Sequence, residues 1–95
     1  MRITQHEQDV IKKVIGRFVP KADVYVFGSR VNDYGRGGDI DILIVGETKI
    51  DLGVIVKIQV NLDEIIGEQK IDILYQQKDN LTPFAQIAKM EGILL

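Results

Sequence analysis

Apolar residues recur every three or four positions in the first and last parts of the chain, which is the spacing of one helix face. Residues 4–18 predict a first helix, because Thr4 and Glu7 fit a capping box at its start and a proline follows its end. Residues 80–91 predict a last helix, with Asn80 as its cap and a proline in its first turn. The residues of this last helix that are expected to face the core are Leu81, Phe84, Ala85 and Ala88.

The middle of the chain, residues 51–66, fits two elements. Its apolar residues Leu52, Ile55, Leu62 and Ile66 suit a helix that Asp51 caps and a glycine ends. Residues 54–60 (VIVKIQV) are rich in β-branched side chains and favour a strand locally. The helix is the preferred prediction, since the stretch is too long for a single strand.

Three other segments predict strands: residues 22–27 and 39–45 alternate in polarity, and residues 70–75 (KIDILY) are a third segment of the same character. The glycine-rich residues 28–38 between the first two predict a turn and loop. The order is therefore α-β-β-α-β-α. It predicts one small mixed α/β (α+β) domain over residues 1–95, in which helices flank a mixed sheet of three or more strands.

Composition narrows the chemistry that the chain can support. Twelve basic and fourteen acidic residues give 95 residues a net charge of −2, which argues against general nucleic-acid binding. The absence of cysteine and the single histidine exclude disulfides, thiolate metal sites and multi-histidine sites. No apolar run reaches the roughly 18–20 residues of a membrane span, and no signal peptide is recognisable. We expect a cytoplasmic protein that does not bind membranes.

Aspartate is uncommon in strands, yet the second and third predicted strands together contain three. Asp39 and Asp41 lie on one face of the second strand, with Cα atoms about 6.6 Å apart, and Asp72 lies in the third. If these strands are neighbours, the three carboxylates lie close together, and a bound cation would offset their repulsion. Oxygen ligands of this kind suit Mg²⁺ or Mn²⁺. The alternative is that all three are polar residues on the solvent side of a sheet.

The first strand ends in Gly28 and Ser29, and the residues that follow could open a short helix. Free backbone N–H groups, a hydroxyl and the helix dipole would make this turn a phosphate site, and glycine would allow close approach. A plain tight turn is the simpler alternative. Combined with the aspartates, the turn suggests a bound triphosphate and two divalent cations.

These motifs resemble the nucleotidyltransferase superfamily of DNA polymerase beta. The matching features are Phe27-Gly28-Ser29, nine further residues, the Asp-Ile-Asp-Ile run that begins at Asp39, and an aspartate in a later strand. The chain is similar in length to minimal nucleotidyltransferases (MNT), which often act as antitoxins beside a HEPN-domain ribonuclease toxin. Gly38 departs from the pattern, because many relatives have serine directly before the first aspartate.

The resemblance implies a role for each residue of the motif. Asp39 and Asp41 would hold two Mg²⁺ or Mn²⁺ ions, and Asp72 would bind the catalytic ion and activate the attacking hydroxyl. Gly28 and Ser29 would bind the phosphates of ATP. The arginines that would neutralise phosphate charge are Arg30 and Arg36.

The resemblance also implies an activity and a partner. The first hypothesis is transfer of AMP from ATP to a hydroxyl on a HEPN toxin, by a protein that acts as an antitoxin. The alternatives are an antitoxin that works by binding alone, and a transferase with a small-molecule acceptor. Since we expect a single domain without a second one to hold an acceptor, we expect a homodimer or a hetero-oligomer to complete the site. The apolar end, residues 93–95, either packs on the core or provides a docking surface.

Overall fold

The computed structural model describes residues 3–28, 39–67 and 70–95. The predicted order of elements is confirmed, and a short fourth strand follows the last helix. The elements are α1 (Gln5–Phe18), β1 (Asp23–Phe27), β2 (Ile40–Gly46), α2 (Leu52–Ile66), β3 (Ile71–Gln77), α3 (Pro83–Glu91) and β4 (Ile93–Leu94). Within these ranges none of the helices has the length and hydropathy of a membrane span.

The four strands form one mixed sheet in the order β3-β2-β1-β4. Strand β2 is antiparallel to β1 and parallel to β3, and β4 pairs antiparallel with β1. In this register Asp41 is the partner of Phe27 on one side and of Asp72 on the other. The N-terminal ends of β2 and β3 and the C-terminal end of β1 therefore lie at the same edge of the sheet.

The sheet has an apolar layer on each face, because successive residues of a strand point to opposite faces. Ile40, Ile42 and Ile44 are fully buried on the face that α1 and α2 cover. Leu43 and Val45 are buried on the other face, against two alanines of α3. We call the second face the α3 face; Asp39 and Asp41 belong to it by their positions in the alternation.

The first helix begins as predicted. The Glu7 N–H donates to Thr4 Oγ1 at 3.0 Å, and the Thr4 N–H donates to Glu7 Oε1 at 2.9 Å. This is the capping box expected from the sequence, and it satisfies two N–H groups that a helix start otherwise leaves without partners.

The start of the last helix was predicted at the wrong residue. Thr82, and not Asn80, is the cap, and its Oγ1 accepts a hydrogen bond of 3.2 Å from the Ala85 N–H. Pro83 explains the shift, because proline drives the preceding residue into the extended conformation of a cap and itself fits the first helical position. Thr82 has φ −65° and ψ 160°.

The helix prediction for residues 51–66 is confirmed, and the local strand preference is overridden. Asp51 is the N-cap residue, as predicted, although among the described residues its side chain makes no capping hydrogen bond. Leu52 is 77% exposed, whereas Ile58 and Leu62 are buried. Leu52 lies six residues before Ile58, about 120° away around the helix and in its first turn, so it lies off the buried face.

Phe84 was also expected in the core, but it is 61% exposed on α3. Its ring meets the ring of Phe27 edge to face, with centroids 5.9 Å apart. The two alanines of α3, Ala85 and Ala88, are buried as predicted. Small residues let α3 lie close to the sheet, and Phe84 is left at the side of the helix, over the end of β1.

The apolar end of the chain packs on the sheet. Ile93 and Leu94 pair with Val26 and Tyr25 of β1, and the Leu95 N–H donates to the Val24 carbonyl at 2.9 Å. Both strand residues remain partly exposed. This segment therefore extends the sheet beside β1, in line with the first alternative, and the docking surface stays a prediction.

Candidate functional site

The three predicted aspartates lie at one edge of the sheet, where β2 and β3 begin. Asp41 and Asp72 are register partners on adjacent parallel strands. Asp39 is the residue directly before β2 and shares the α3 face with Asp41, two positions away. The parallel pairing of β2 and β3 is what brings an aspartate late in the sequence beside the earlier pair.

The electrostatics of Asp41 reflect this grouping. Partial burial raises its pKa above the usual value of 3.8, and the charges of Asp72 and Asp39 raise it further. Lys70 acts in the opposite direction and lowers the pKa of Asp41. Asp41 is therefore a carboxylate that the fold holds among like charges, and a cation placed beside it would stabilise its ionised form.

Lys70 is a member of the site that the sequence interpretation did not single out. Its Nζ lies 3.7 Å from Asp39 Oδ2 and 3.9 Å from Asp72 Oδ1. All three side chains are accessible to solvent: Lys70 is 71% exposed, Asp39 45% and Asp72 50%. The signal available in the sequence was the spacing, because residues 70 and 72 share a face of the same strand.

Oxygen ligands of this kind suit Mg²⁺ or Mn²⁺, so the donor chemistry of Asp39, Asp41 and Asp72 fits the expected metal. Across residues 3–28, 39–67 and 70–95, however, no three His, Cys, Asp or Glu side chains are grouped as a ready metal site. The ammonium group of Lys70 lies between Asp39 and Asp72. The three carboxylates would have to turn toward a shared ion, and the exposure of two of them allows this.

Gly28, which was predicted to let a phosphate approach, lies directly against Asp41 in the structure. Its φ is +75°, in the left-handed region that favours glycine. A Cβ placed on Gly28 would come within 3.2 Å of Asp41 Cγ and still closer to its Oδ2. The glycine was expected to allow a phosphate to approach; the structure adds that it leaves room for the Asp41 carboxylate.

The remaining predicted phosphate-binding residues, Ser29, Arg30 and Arg36, lie outside the described residues, as does Gly38. Their roles stay predictions. Gly28 is the one member of the predicted turn that the described part of the chain includes, and it places the start of that turn beside Asp41.

An open cleft of about 580 Å³ adjoins the carboxylates on the α3 face. The charged side chains that line this cleft are Asp41, Asp72 and Glu91, and Gly28 lines it beside Asp41. Its remaining wall is mainly apolar and includes Phe27, Leu74, Phe84, Ile87 and Ala88. The sequence interpretation missed this surface because it assigned Phe84 to the core. The cleft can hold a flat apolar group, such as a nucleobase or an aromatic side chain, beside charged chemistry.

Comparison with known proteins identifies the class. The family model described as polymerase beta, nucleotidyltransferase, matches residues 9–95, and the chain belongs to this family. No curated protein is significantly similar to it in sequence.

Two solved structures share the fold. One is the complex of a tri-AMPylated HEPN toxin with an MNT antitoxin from Shewanella oneidensis: TM-score 0.72, 18% identity, 97% of this chain and 71% of that chain covered. The other is the toxin–antitoxin pair MntA-HpeT with two aspartates mutated to glutamate: TM-score 0.70, 18% identity, 93% and 70% covered. At this identity the likeness shows a common fold.

Proposed function

We propose that this protein is a Mg²⁺-dependent nucleotidyltransferase that moves AMP from ATP to a hydroxyl on a HEPN-domain toxin, and that it acts as an antitoxin. The observation that carries the proposal is the Asp41–Asp72 pair, placed side by side by the β2–β3 register at the mouth of a partly apolar cleft. Membership of the nucleotidyltransferase family supports the reaction class.

In the proposed reaction, the acceptor hydroxyl oxygen forms a bond to the α-phosphorus of ATP. The bond from that phosphorus to the bridging oxygen breaks, and pyrophosphate leaves with the bonding electrons. The hydroxyl proton passes to a carboxylate at the cleft, for which we assign Asp72 because half of its side chain is open to solvent and substrate. Mg²⁺ held by Asp39, Asp41 and Asp72 would supply charge stabilisation at the phosphates.

The cleft gives the proposal a place for the substrates. Its apolar wall, with Phe27 and Phe84, suits the adenine of ATP or an aromatic acceptor side chain. Gly28 begins the turn proposed to bind the phosphates, together with Ser29, Arg30 and Arg36. The cleft is open on one side, so a protein acceptor could present its hydroxyl there, which suits transfer to a partner.

The HEPN partner is proposed by analogy with the structural neighbours. Both are complexes of a toxin with its antitoxin, and in one of them the HEPN toxin is tri-AMPylated. A modified hydroxyl on such a toxin would be the product of the reaction written above. We expect a hetero-oligomer with the toxin in the cytoplasm.

The test uses two forms of ATP, labelled at the α-phosphate or at the γ-phosphate. The protein is incubated with each form, Mg²⁺ and the HEPN protein of the same host. We expect the α-label alone to be retained on the acceptor, with a mass increase of one AMP per modified residue. Asp39→Asn and Asp72→Asn should abolish labelling, whereas Asp79→Asn, an exposed aspartate beyond the other end of β3, should retain it.

Three outcomes would change the proposal. Transfer of the γ-label would indicate phosphorylation. Label on a small molecule alone would favour the small-molecule acceptor. Tight binding to the toxin without any label would favour an antitoxin that acts by binding alone.

A further inference from the structure

The carboxylates and Lys70 form an array of two rows on the α3 face of the sheet. Asp41 and Asp72 make one row as register partners, and Asp39 and Lys70, each one residue before the first paired position, make the other. The Ile40 N–H donates to the Lys70 carbonyl at 2.9 Å, so the backbone of Lys70 is tied to the start of β2. The strand pairing therefore holds one cationic residue beside the three aspartates.

The Lys70 ammonium group lies where a positive charge offsets the repulsion among the carboxylates. Three carboxylates on one face repel one another, and the repulsion is reduced when a positive charge lies between them. The Nζ of Lys70 is within 4 Å of carboxylate oxygens on both strands, at 3.7 Å from Asp39 and 3.9 Å from Asp72. It thus occupies the kind of position that a divalent cation bound by the same carboxylates would take.

We propose that Lys70 is the internal counter-cation of the metal-free site, and that a divalent ion must displace its ammonium group in order to bind. The inference rests on the proposed function in one respect, namely that Asp39, Asp41 and Asp72 are metal ligands. It explains why carboxylates of suitable chemistry, among the residues that the structure describes, are not grouped as a ready metal site. The flexible, solvent-exposed side chain of Lys70 allows the exchange.

The experiment measures Mn²⁺ affinity without nucleotide, by electron paramagnetic resonance of the free ion, together with the melting temperature. Lys70→Met should bind Mn²⁺ about 30-fold more tightly than wild type, the effect of one unit charge about 4 Å from a divalent ion in water. Without metal, Lys70→Met should melt at a lower temperature than wild type. Added Mn²⁺ should raise the melting temperature of Lys70→Met by more than that of wild type. Lys70→Arg, which keeps the charge, should resemble wild type.

Lys78 provides the matched control. It follows the other end of β3, and its N–H donates to the Gly46 carbonyl at 2.8 Å. Lys78→Met removes the same charge from the same strand far from the aspartates, so its Mn²⁺ affinity should equal that of wild type. Equal affinity in Lys70→Met and Lys78→Met, or weaker binding in Lys70→Met, would overturn the role of Lys70 while leaving the proposed function intact. If wild type binds no Mn²⁺ and Asp39→Asn changes nothing, the metal site of the proposed function fails as well.

Discussion

Replacement of Gly28 by alanine tests whether the backbone at the end of β1 makes room for the Asp41 carboxylate. The substitution has two separable effects. It places a side chain on a residue with φ of +75°, and it brings a Cβ against Asp41. The first effect costs roughly 1–2 kcal/mol for a residue in the left-handed region. In a domain of this size, each kcal/mol lowers the melting temperature by about 4–8 °C, so we expect a fall of about 4–16 °C.

Gly67, at the end of α2, supplies the control for the first effect. Its φ is +89°, but a Cβ added there would have no described heavy atom of a neighbouring residue within 4 Å. Gly67→Ala also places a side chain at a positive φ and lowers the entropy of the unfolded chain, without the contact, but its ψ of −130° lies outside the helical left-handed region and sets a backbone cost of its own. Both variants should melt below wild type, and only Gly28→Ala should also displace the Asp41 carboxylate.

The decisive measurement is Mn²⁺ affinity, by calorimetry on the folded proteins well below their melting temperatures. Since the new Cβ forces the Asp41 carboxylate to move, Gly28→Ala should lose about 10- to 100-fold in affinity, as is typical when a group that orients a metal ligand is changed. Gly67→Ala should keep the wild-type affinity. If both variants bind Mn²⁺ equally well, the closeness of Gly28 to Asp41 does not matter for the site, and the reasoning is refuted.

Three further predictions concern stability. The raised pKa of Asp41 means that folding favours its protonated form, so ionisation of Asp41 destabilises the fold as pH rises above the usual value of 3.8. Asp41→Asn should therefore raise the melting temperature at pH 7, and this gain should shrink at acidic pH. A gain that is the same at both pH values would contradict the assignment. Thr82→Ala removes the cap of α3 and should cost about 1 kcal/mol in urea unfolding; no loss would mean that the cap is dispensable. Leu62→Ala should cost about 2–5 kcal/mol and Leu52→Ala less than about 0.5 kcal/mol, and the reverse order would mean that α2 faces the other way.

The parts of the fold that were predictable are those in which local signals agree. The capping box of Thr4 and Glu7 precedes a helical apolar pattern, and α1 begins where both indicate. In β2, alternation separates Ile40 and Ile42 from Asp39 and Asp41, and the structure buries the isoleucines against the helices. Each of these features depends on residues close in sequence, so the local pattern of apolar and polar residues is enough to predict it.

The side chains that reach the core were harder to predict, because they depend on which side of a helix meets the sheet. In α2, apolar side chains occur on both sides, so the pattern did not distinguish the exposed Leu52 from the buried Leu62. In α3, the buried contact is made by alanines and the larger Phe84 lies beside it. The cleft next to the carboxylates follows from that arrangement, and it could not be foreseen while Phe84 was assigned to the core.

Lys70 was overlooked for a different reason. A lysine before a strand is usually an exposed residue without a specific role. Its importance comes from the parallel pairing of β2 with β3, which places it beside Asp39 across the strands. Periodicity within one strand predicts which residues share a face, but the register between strands decides which of them become neighbours.

The same register couples the candidate site to the stability of the fold. In β2 the even-numbered isoleucines fill the core against α1 and α2, and the odd-numbered aspartates lie on the α3 face. A shift of one residue in the pairing would exchange these two sets, burying carboxylates and exposing isoleucines, which the loss of apolar burial and the cost of burying charge both oppose. The burial of Ile40, Ile42 and Ile44 therefore keeps Asp41 on the α3 face, where the observed register places it opposite Asp72. The fold places the two carboxylates side by side without any attraction between them, and it leaves their repulsion to be offset by a cation.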